Sequence, residues 1–151
     1  MDSDRKRKTL TPGKTIGLFL GSLLLAFGLV VPASASAAVG PIYYGTVNGV
    51  SFSAQSGETS SSGYQVATTY LTRSSGTFPS GWAGSQARMY YSTGSLYTSN
   101  SMTYNGGAAS TWNSSLGAGA SGSFYSQGIT HHWNGSGYNA AYPARSPNQS
   151  S

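Results

Sequence analysis

Cysteine is absent from this chain of 151 residues, and charged residues make up only 7% of it. Without cysteine the chain has no disulfides, no thiol nucleophile and no thiolate metal ligand. It also lacks the cysteine to which a lipid is attached in exported lipoproteins. Ordinary soluble domains carry about 25% charged residues, so this chain must rely on hydroxyl and amide groups for its solubility.

An apolar run of 16 residues, at positions 16–31, contains no charge. Basic residues precede it at positions 5–8 and 14, and small residues follow it at 32–37. This order predicts a secretory signal peptide over residues 1–37, cleaved after Ala37, with cleavage after Ala35 as the alternative. An uncleaved anchor and a buried core helix compete with it, but a membrane-spanning helix needs about 20 apolar residues. We therefore expect a secreted, extracellular protein with no stable membrane anchor after cleavage.

Residues 38–151 keep only four charged side chains, which are Glu58, Arg73, Arg88 and Arg145. The net charge of +5 for the whole chain therefore comes mainly from the predicted leader, and it gives no support for nucleic-acid binding. The length suits a single domain, placed at residues 38–142 and followed by an extended or disordered tail at 143–151.

Aromatic residues supply most of the apolar surface, with 11 tyrosines and 3 tryptophans, and the chain has 21 glycines. Aromatic residues and threonine favour strands, whereas glycine and asparagine favour the turns between them. The competing interpretation is a low-complexity disordered chain, but the aromatic residues fall in spaced, alternating runs. The sequence predicts an all-β fold, a small antiparallel β-sandwich or barrel-like domain of about seven or eight short strands.

The first predicted hairpin turns at Asn48-Gly49, because both residues tolerate the positive φ of a tight turn. A single long strand bent at Gly49 is the alternative. The serine-rich segment 55–63 is predicted to be a surface loop that carries Glu58. Residues 64–73 alternate most clearly, which predicts a strand with one face in the core and an aromatic outer face.

Further strands are predicted over residues 85–91, 96–104, 109–113, 123–133 and 138–142. Glycine-rich turns at 93–95, 105–107 and 134–137 separate several of them, and 117–122 is predicted to be a flexible connection.

Residues with catalytic chemistry are few. One glutamate and no aspartate in residues 38–151 exclude the carboxylate pair of glycoside hydrolases, and no G-x-S-x-G motif occurs. His131 and His132 are adjacent, so on a strand they point to opposite faces and cannot chelate one ion; we expect a partly exposed pair. The sequence predicts a non-catalytic protein without cofactor or metal.

Binding is better supported, because tyrosine, tryptophan, asparagine and serine make adaptable recognition surfaces. Flat rings stack on sugars, and neighbouring polar groups bond the hydroxyls. The candidate ligand-binding residues are Trp82, Tyr90, Tyr97, Trp112, Trp133 and Tyr138. The competing interpretation is that each tryptophan fills the core.

Three functions remain open at this point. The leading hypothesis is a secreted, non-catalytic β-domain that binds an extracellular or cell-envelope partner, a glycan or peptidoglycan in the favoured case. The alternatives are a small bacteriocin-like antibacterial protein and an extracellular matrix protein that self-associates through its low-charge strands.

Overall fold

The computed structural model describes residues 36–151, and the predicted leader lies outside them apart from Ser36 and Ala37. The described residues form thirteen strands and no helix. The strands are β1 (Ser36–Val39), β2 (Tyr43–Val47), β3 (Val50–Ser61), β4 (Tyr64–Arg73), β5 (Ala83–Gln86), β6 (Arg88–Tyr91), β7 (Leu96–Ser99), β8 (Thr103–Tyr104), β9 (Thr111–Gly119), β10 (Ser123–Ser126), β11 (Ile129–Trp133), β12 (Tyr138–Ala141) and β13 (Gln149–Ser150).

The strands form three antiparallel sheets. Sheet I has five strands in the order β1-β3-β4-β9, with β2 also paired to β3. Sheet II is β12-β11-β5-β8, and sheet III is β13-β10-β6-β7. β1 and β2 pair with opposite ends of the same long strand, β3. The all-β prediction is confirmed, and the strand count is higher than the seven or eight predicted.

The strand predicted at residues 64–73 is confirmed as β4. Gln65, Ala67, Thr69 and Leu71 are buried on its inner face, whereas Tyr64 and Tyr70 are exposed on the outer face. This alternation places one face of sheet I in the core, as the period-two pattern indicated.

The predicted first hairpin is also confirmed. Asn48 and Gly49 have φ values of 49° and 74°, and Val47 pairs with Val50 on either side of them. Both positive values belong to a type I′ turn, whose twist matches that of the flanking strands.

The surface loop predicted at residues 55–63 is wrong. This segment continues β3 as far as Ser61, and Glu58 is buried, with 1% of its surface exposed. The inner hydroxyls are used across the interior, since Ser56 Oγ accepts from Gly128 N at 3.1 Å and Ser60 Oγ donates to Ser150 O at 2.8 Å. A polar composition does not prevent burial when each hydroxyl finds a partner.

The strand predicted at 85–91 is divided at Ala87 into β5 and β6, which belong to different sheets. At the two ends of β5, asparagine side chains accept backbone hydrogen bonds that a neighbouring strand would otherwise accept. Asn105 Oδ1 accepts from Ala83 N at 2.8 Å, and Asn100 Oδ1 accepts from Ala87 N at 2.9 Å. The segment predicted as one strand at 96–104 is therefore also divided, into β7 and β8, around Asn100.

The strand predicted at 123–133 separates into β10 and β11 at Gln127 and Gly128. A Cβ at Gly128 would lie 1.8 Å from Thr69 Oγ1 and 2.5 Å from Gln86 O. Only glycine lets the chain pass this close to β4 and β5. The short strand predicted at 109–113 is longer, because β9 includes residues 117–119 of the predicted flexible connection.

Residues 143–151 run alongside β10 in the structure. Ser146 N donates to Ser126 O at 2.9 Å, and β13 pairs with β10 through Gln149 and Phe124. The segment predicted as an extended or disordered tail is thus extended and paired along sheet III.

Two small apolar clusters hold the sheets together. One contains Phe52, Ala54, Leu71, Phe78, Ala83 and Ala141, and the other contains Ala67, Met89 and Phe124. The first joins sheet I to sheet II and the second joins sheet I to sheet III. Among residues 36–151 no helix has the length and apolar character needed to cross a membrane.

Candidate functional site: an aromatic groove

Sheet II carries a row of aromatic side chains on one face. Trp133 on β11 pairs with Tyr138 on β12, while His131 pairs with Gly84, which in turn pairs with Tyr104 on β8. Because paired residues share a face of a sheet, these registers place four rings, from β8, β11 and β12, on the same face of sheet II.

Gly84 makes room for the row. A Cβ at this position would lie 2.8 Å from the Tyr104 ring and 2.9 Å from the Cβ of His131. The missing side chain lets Tyr104 lie over the sheet toward His131. Tyr104 Oη and His131 Nδ1 are 2.9 Å apart, which is hydrogen-bonding distance.

The rings form one continuous surface. The centroid of Tyr138 lies 4.7 Å from that of Tyr104, 5.2 Å from Trp133 and 5.7 Å from His131. These separations lie within the range for favourable aromatic pairs. Tyr138 Oη donates to Gly81 O at 2.7 Å, which attaches the row to the loop before β5.

A groove of about 310 Å³ opens beside this row, lined by Ser80, Gly81, Trp82, Trp133 and Tyr138. We call these residues, together with Tyr104 and His131, the aromatic groove. Trp82 and Trp133 are half-buried, and Trp133 N donates to Trp82 O at 2.9 Å. Within residues 36–151, Trp112 is the tryptophan whose indole N–H bonds to the protein, at 3.0 Å from Thr103 O. The groove therefore has flat apolar faces, and the indole N–H groups of Trp82 and Trp133 have no hydrogen-bond acceptor among the described residues.

The two histidines differ sharply. His131 faces the groove, and burial lowers its pKa. His132 points to the core, where its exposed fraction is 3%, and burial followed by the nearby His131 lowers its pKa to about 4. The expected partly exposed pair is thus wrong for His132, although the opposite orientation is confirmed. No set of three histidine, aspartate or glutamate side chains in the described part of the chain is arranged to hold a metal.

Three of the six predicted binding residues, Trp82, Trp133 and Tyr138, line the aromatic groove. Trp82 and Trp112 are both half-buried, and both also pack against the core cluster around Phe52. Tyr90 and Tyr97 lie on sheet III instead, where Tyr90 stacks on Tyr125 and Tyr97 packs on Phe124.

The sequence analysis did not name Tyr104 or His131 as ligand-binding residues. Tyr104 reaches the groove through the pairing of β8 with β5, which skips β6 and β7. A glycine in an otherwise regular strand, at position 84, is the signal that indicates a close approach by a large ring.

No known protein family, characterised protein or solved structure shows significant similarity to this chain.

Proposed function

We propose that this protein is a secreted, non-catalytic domain that binds a glycan of the extracellular space or cell envelope through the aromatic groove. The observation that carries the proposal is the continuous row of Tyr104, His131, Tyr138 and Trp133 beside a groove that also contains Trp82. Rigid rings of this kind provide contact area at low entropic cost.

The chemistry of the groove suits a neutral, hydroxyl-rich ligand. None of the side chains that line it within the described residues carries a formal charge, and burial lowers the pKa of His131, which favours its neutral form. Flat rings meet the apolar faces of sugars, while Ser80 and the indole N–H groups provide bonds to hydroxyls.

Export follows from the predicted leader. Cleavage after Ala35 would leave β1 intact, whereas cleavage after Ala37 would remove its pairs with Ser60 and Thr59. The predicted extracellular location fits a partner such as peptidoglycan, and the proposal involves no nucleic acid.

The test is binding of the purified protein to washed cell walls and to soluble glycan fragments, with Trp133→Ala and Trp82→Ala variants. We expect saturable binding that weakens about tenfold for each lost ring, in line with the energy of an aromatic contact. Tyr44→Ala is the matched control, because Tyr44 is an aromatic residue with 72% exposure on sheet I, outside the groove.

Absence of binding by the intact protein, or an equal loss in the Tyr44→Ala variant, would overturn the groove proposal. Growth inhibition of bacterial cells by the same protein, abolished by Trp133→Ala, would instead favour the antibacterial alternative.

A second candidate, self-association, is favoured by one observation. Val39 at the end of β1, Ile42 just before β2 and Tyr44 on β2 are 56%, 48% and 72% exposed. Exposed apolar side chains on an edge strand favour pairing between copies. Sedimentation over a range of protein concentrations tests this, with Ile42→Lys as the variant expected to keep the protein monomeric.

A further inference from the structure

A second cavity lies between sheets I and II, at the edge strands β2 and β12. Its volume is about 190 Å³, and both sheets contribute to its lining, which includes Tyr43, Thr46, Phe52, His132, Asn139 and Ala140. The rings of Phe52 and His132 stack on each other and form the floor, where the two sheets meet. We call this cavity the edge cleft.

The edge cleft and the aromatic groove use opposite faces of sheet II. Asn139 pairs with His132, whose ring points to the core, whereas Tyr138 pairs with Trp133 on the groove face. Successive residues of a strand point to opposite faces, so Asn139 and Ala141 face the cleft. The sheet itself therefore separates the two sites.

The backbone of β12 has no strand partner on the side away from β11 within the described residues. Trp133 N donates to Trp82 O on the side of β5, so the backbone of the neighbouring His132 points to β12. His132 and Asn139 therefore form a hydrogen-bonded pair, and the N–H and C=O of the next residue, Ala140, point away from the sheet. These two groups lie at the rim of the edge cleft.

The backbone of β2 is arranged in the same way. Val47 and Val50 enclose a two-residue turn and form a hydrogen-bonded pair, so the N–H and C=O of Thr46 point away from β3. Two strand edges with free backbone groups, at Thr46 and Ala140, therefore border one cleft. Free edges of this kind pair readily with another extended chain.

The side chains of the edge cleft suit an uncharged ligand. None of them carries a formal charge at neutral pH, because burial lowers the pKa of His132 to about 4. Ala140 and Ala141 are small, so a second backbone can come close to β12. Asn139 Oδ1 accepts from Asn134 Nδ2 at 2.7 Å, while the Nδ2 of Asn139 has no acceptor among residues 36–151 and can donate to a ligand.

We propose that the edge cleft binds an extended, uncharged peptide segment of another protein, which adds as a strand to the free edge of β12. A strand presents its backbone donors and acceptors to one side at every second residue, about 6.8 Å apart, and an extended peptide has the same spacing. The peptide backbone bonds to Ala140, and an apolar side chain points down to Phe52 and His132. Main-chain hydrogen bonds supply affinity in this mode of binding, and the cavity beside the edge selects the side chain.

The experiment titrates the neutral peptide acetyl-Ser-Val-Ser-Val-Ser-amide into the purified protein labelled with nitrogen-15. We expect the backbone amide signals of Ala140 and Thr46 to shift saturably, with a Kd of about 1 mM or tighter, while that of Asn113 on the edge strand β9 stays in place. The matched control peptide carries N-methyl groups on its three central residues. It keeps the same side chains but cannot donate along a strand, so we expect it not to bind.

Ala140→Pro removes the outward N–H of β12, and proline is tolerated at such positions of edge strands. We expect this variant to bind the peptide about tenfold more weakly. Asn113→Pro is the control. It makes the same change on β9, where the bond from Arg73 N to Ser110 O shows that the backbone of Asn113 points outward, and it should leave binding unchanged.

Three results would overturn the proposal: no shift with the unmodified peptide at about 10 mM, equal shifts with the N-methylated peptide, or equal losses in the two proline variants. The N-methylated peptide tests the native protein, so this comparison holds even where Ala140→Pro does not fold. A shift of the Ala140 signal with neutral dextran in place of the peptide would also contradict a peptide site. Glycan binding by the aromatic groove is measured separately, and its outcome does not depend on these results.

Discussion

The imidazole of His132 lies nearly flat on the phenyl ring of Phe52, with ring centroids 3.4 Å apart and planes 24° apart. This contact joins sheet II to sheet I inside the larger apolar cluster. Because the ring is buried there, the pKa of His132 falls from 6.5 to about 4. Burial has the opposite effect on a carboxyl group, and it raises the pKa of Glu58 from 4.5 to about 7.

Glu58 makes the protein less stable as pH rises. Its pKa is higher in the folded state, so its contribution is complete below pH 4.5, falls between 4.5 and about 7, and then stays constant. We expect Glu58→Gln to be more stable than the native protein at pH 8, by up to about 3 kcal/mol, and nearly equal to it at pH 4. Urea unfolding at both pH values measures this. A variant less stable at pH 8 would show that the carboxylate has a cationic partner in solution.

His132 makes the protein less stable as pH falls. Its pKa is lower in the folded state, so its contribution is complete above pH 6.5 and is lost toward about pH 4. Between pH 4.5 and 6.5 the contributions of Glu58 and His132 oppose each other, and we expect a nearly flat stability profile for the native protein. His132→Phe keeps a ring on Phe52 and should instead become more stable as pH falls through this interval. If the stability of the native protein changes steeply between pH 4.5 and 6.5, the contributions of Glu58 and His132 do not cancel as proposed.

Asn105 is predicted to be the most damaging asparagine to replace. It is 1% exposed, accepts from Ala83 N and donates to Pro79 O and Gly107 O at 2.7 and 2.8 Å. Asn105→Ala leaves buried backbone groups without partners, at a cost of about 3 kcal/mol in the free energy of unfolding. Asn113→Ala, at an exposed position of β9, is the matched control and should change stability by less than about 0.5 kcal/mol. Similar losses in both variants would mean that the Asn105 bonds are not the cause.

Gly128 is predicted to be intolerant of any side chain. Gly128→Ala forces a methyl group against Thr69 and the carbonyl of Gln86, so we expect a loss of about 3 kcal/mol or more in thermal or urea unfolding. Gly137→Ala meets no atom within 4 Å and serves as the control, with stability unchanged or slightly raised. If Gly128→Ala unfolds like Gly137→Ala, β10 and β11 pass farther from β4 than the structure shows.

The last three residues are predicted to contribute to stability. Ser151 Oγ donates to Ala120 O at 2.9 Å and accepts from Gln65 Nε2 at 3.0 Å, while Gln149 pairs with Phe124. Deletion of residues 149–151 leaves the buried Gln65 without this partner, and we expect a loss of about 2 kcal/mol. Asn148→Ala, at an exposed position just before them, is the control. An unchanged midpoint in the deletion would show that the final strand adds nothing.

The sequence predicted the local features well. The alternation in β4 and the Asn48-Gly49 turn were both readable, because each depends on neighbouring residues alone. The second half of β3 could not be predicted in this way. Ser56 and Glu58 are buried there by segments distant in sequence, whereas the polar composition of this stretch favours a loop. The predicted strands are divided at Ala87 and Asn100 because asparagine side chains accept backbone hydrogen bonds in place of a neighbouring strand. The alternation of apolar and polar residues gives no sign of such bonds.

The candidate site was partly predictable for the same reason. Trp82, Trp133 and Tyr138 were chosen as aromatic residues near turns, and the pairing of β11 with β12 brings two of them together. Tyr104 joins them only through a nonlocal pairing of β5 with β8. Tyr90 and Tyr97 carry the same residue type and face a different sheet, so composition alone could not separate the two groups.

The two ends of the described chain meet on the same side of the fold, and this determines when folding can finish. Ser36 bonds to Gln149, and Ser60 bonds to the backbone of Ser150. β10 therefore acquires its last neighbour only when residues 149 and 150 are available. A chain that emerges from its amino end therefore cannot complete sheet III before residues 149 and 150 have emerged, and until then one edge of β10 has no partner at Ser123 and Phe124.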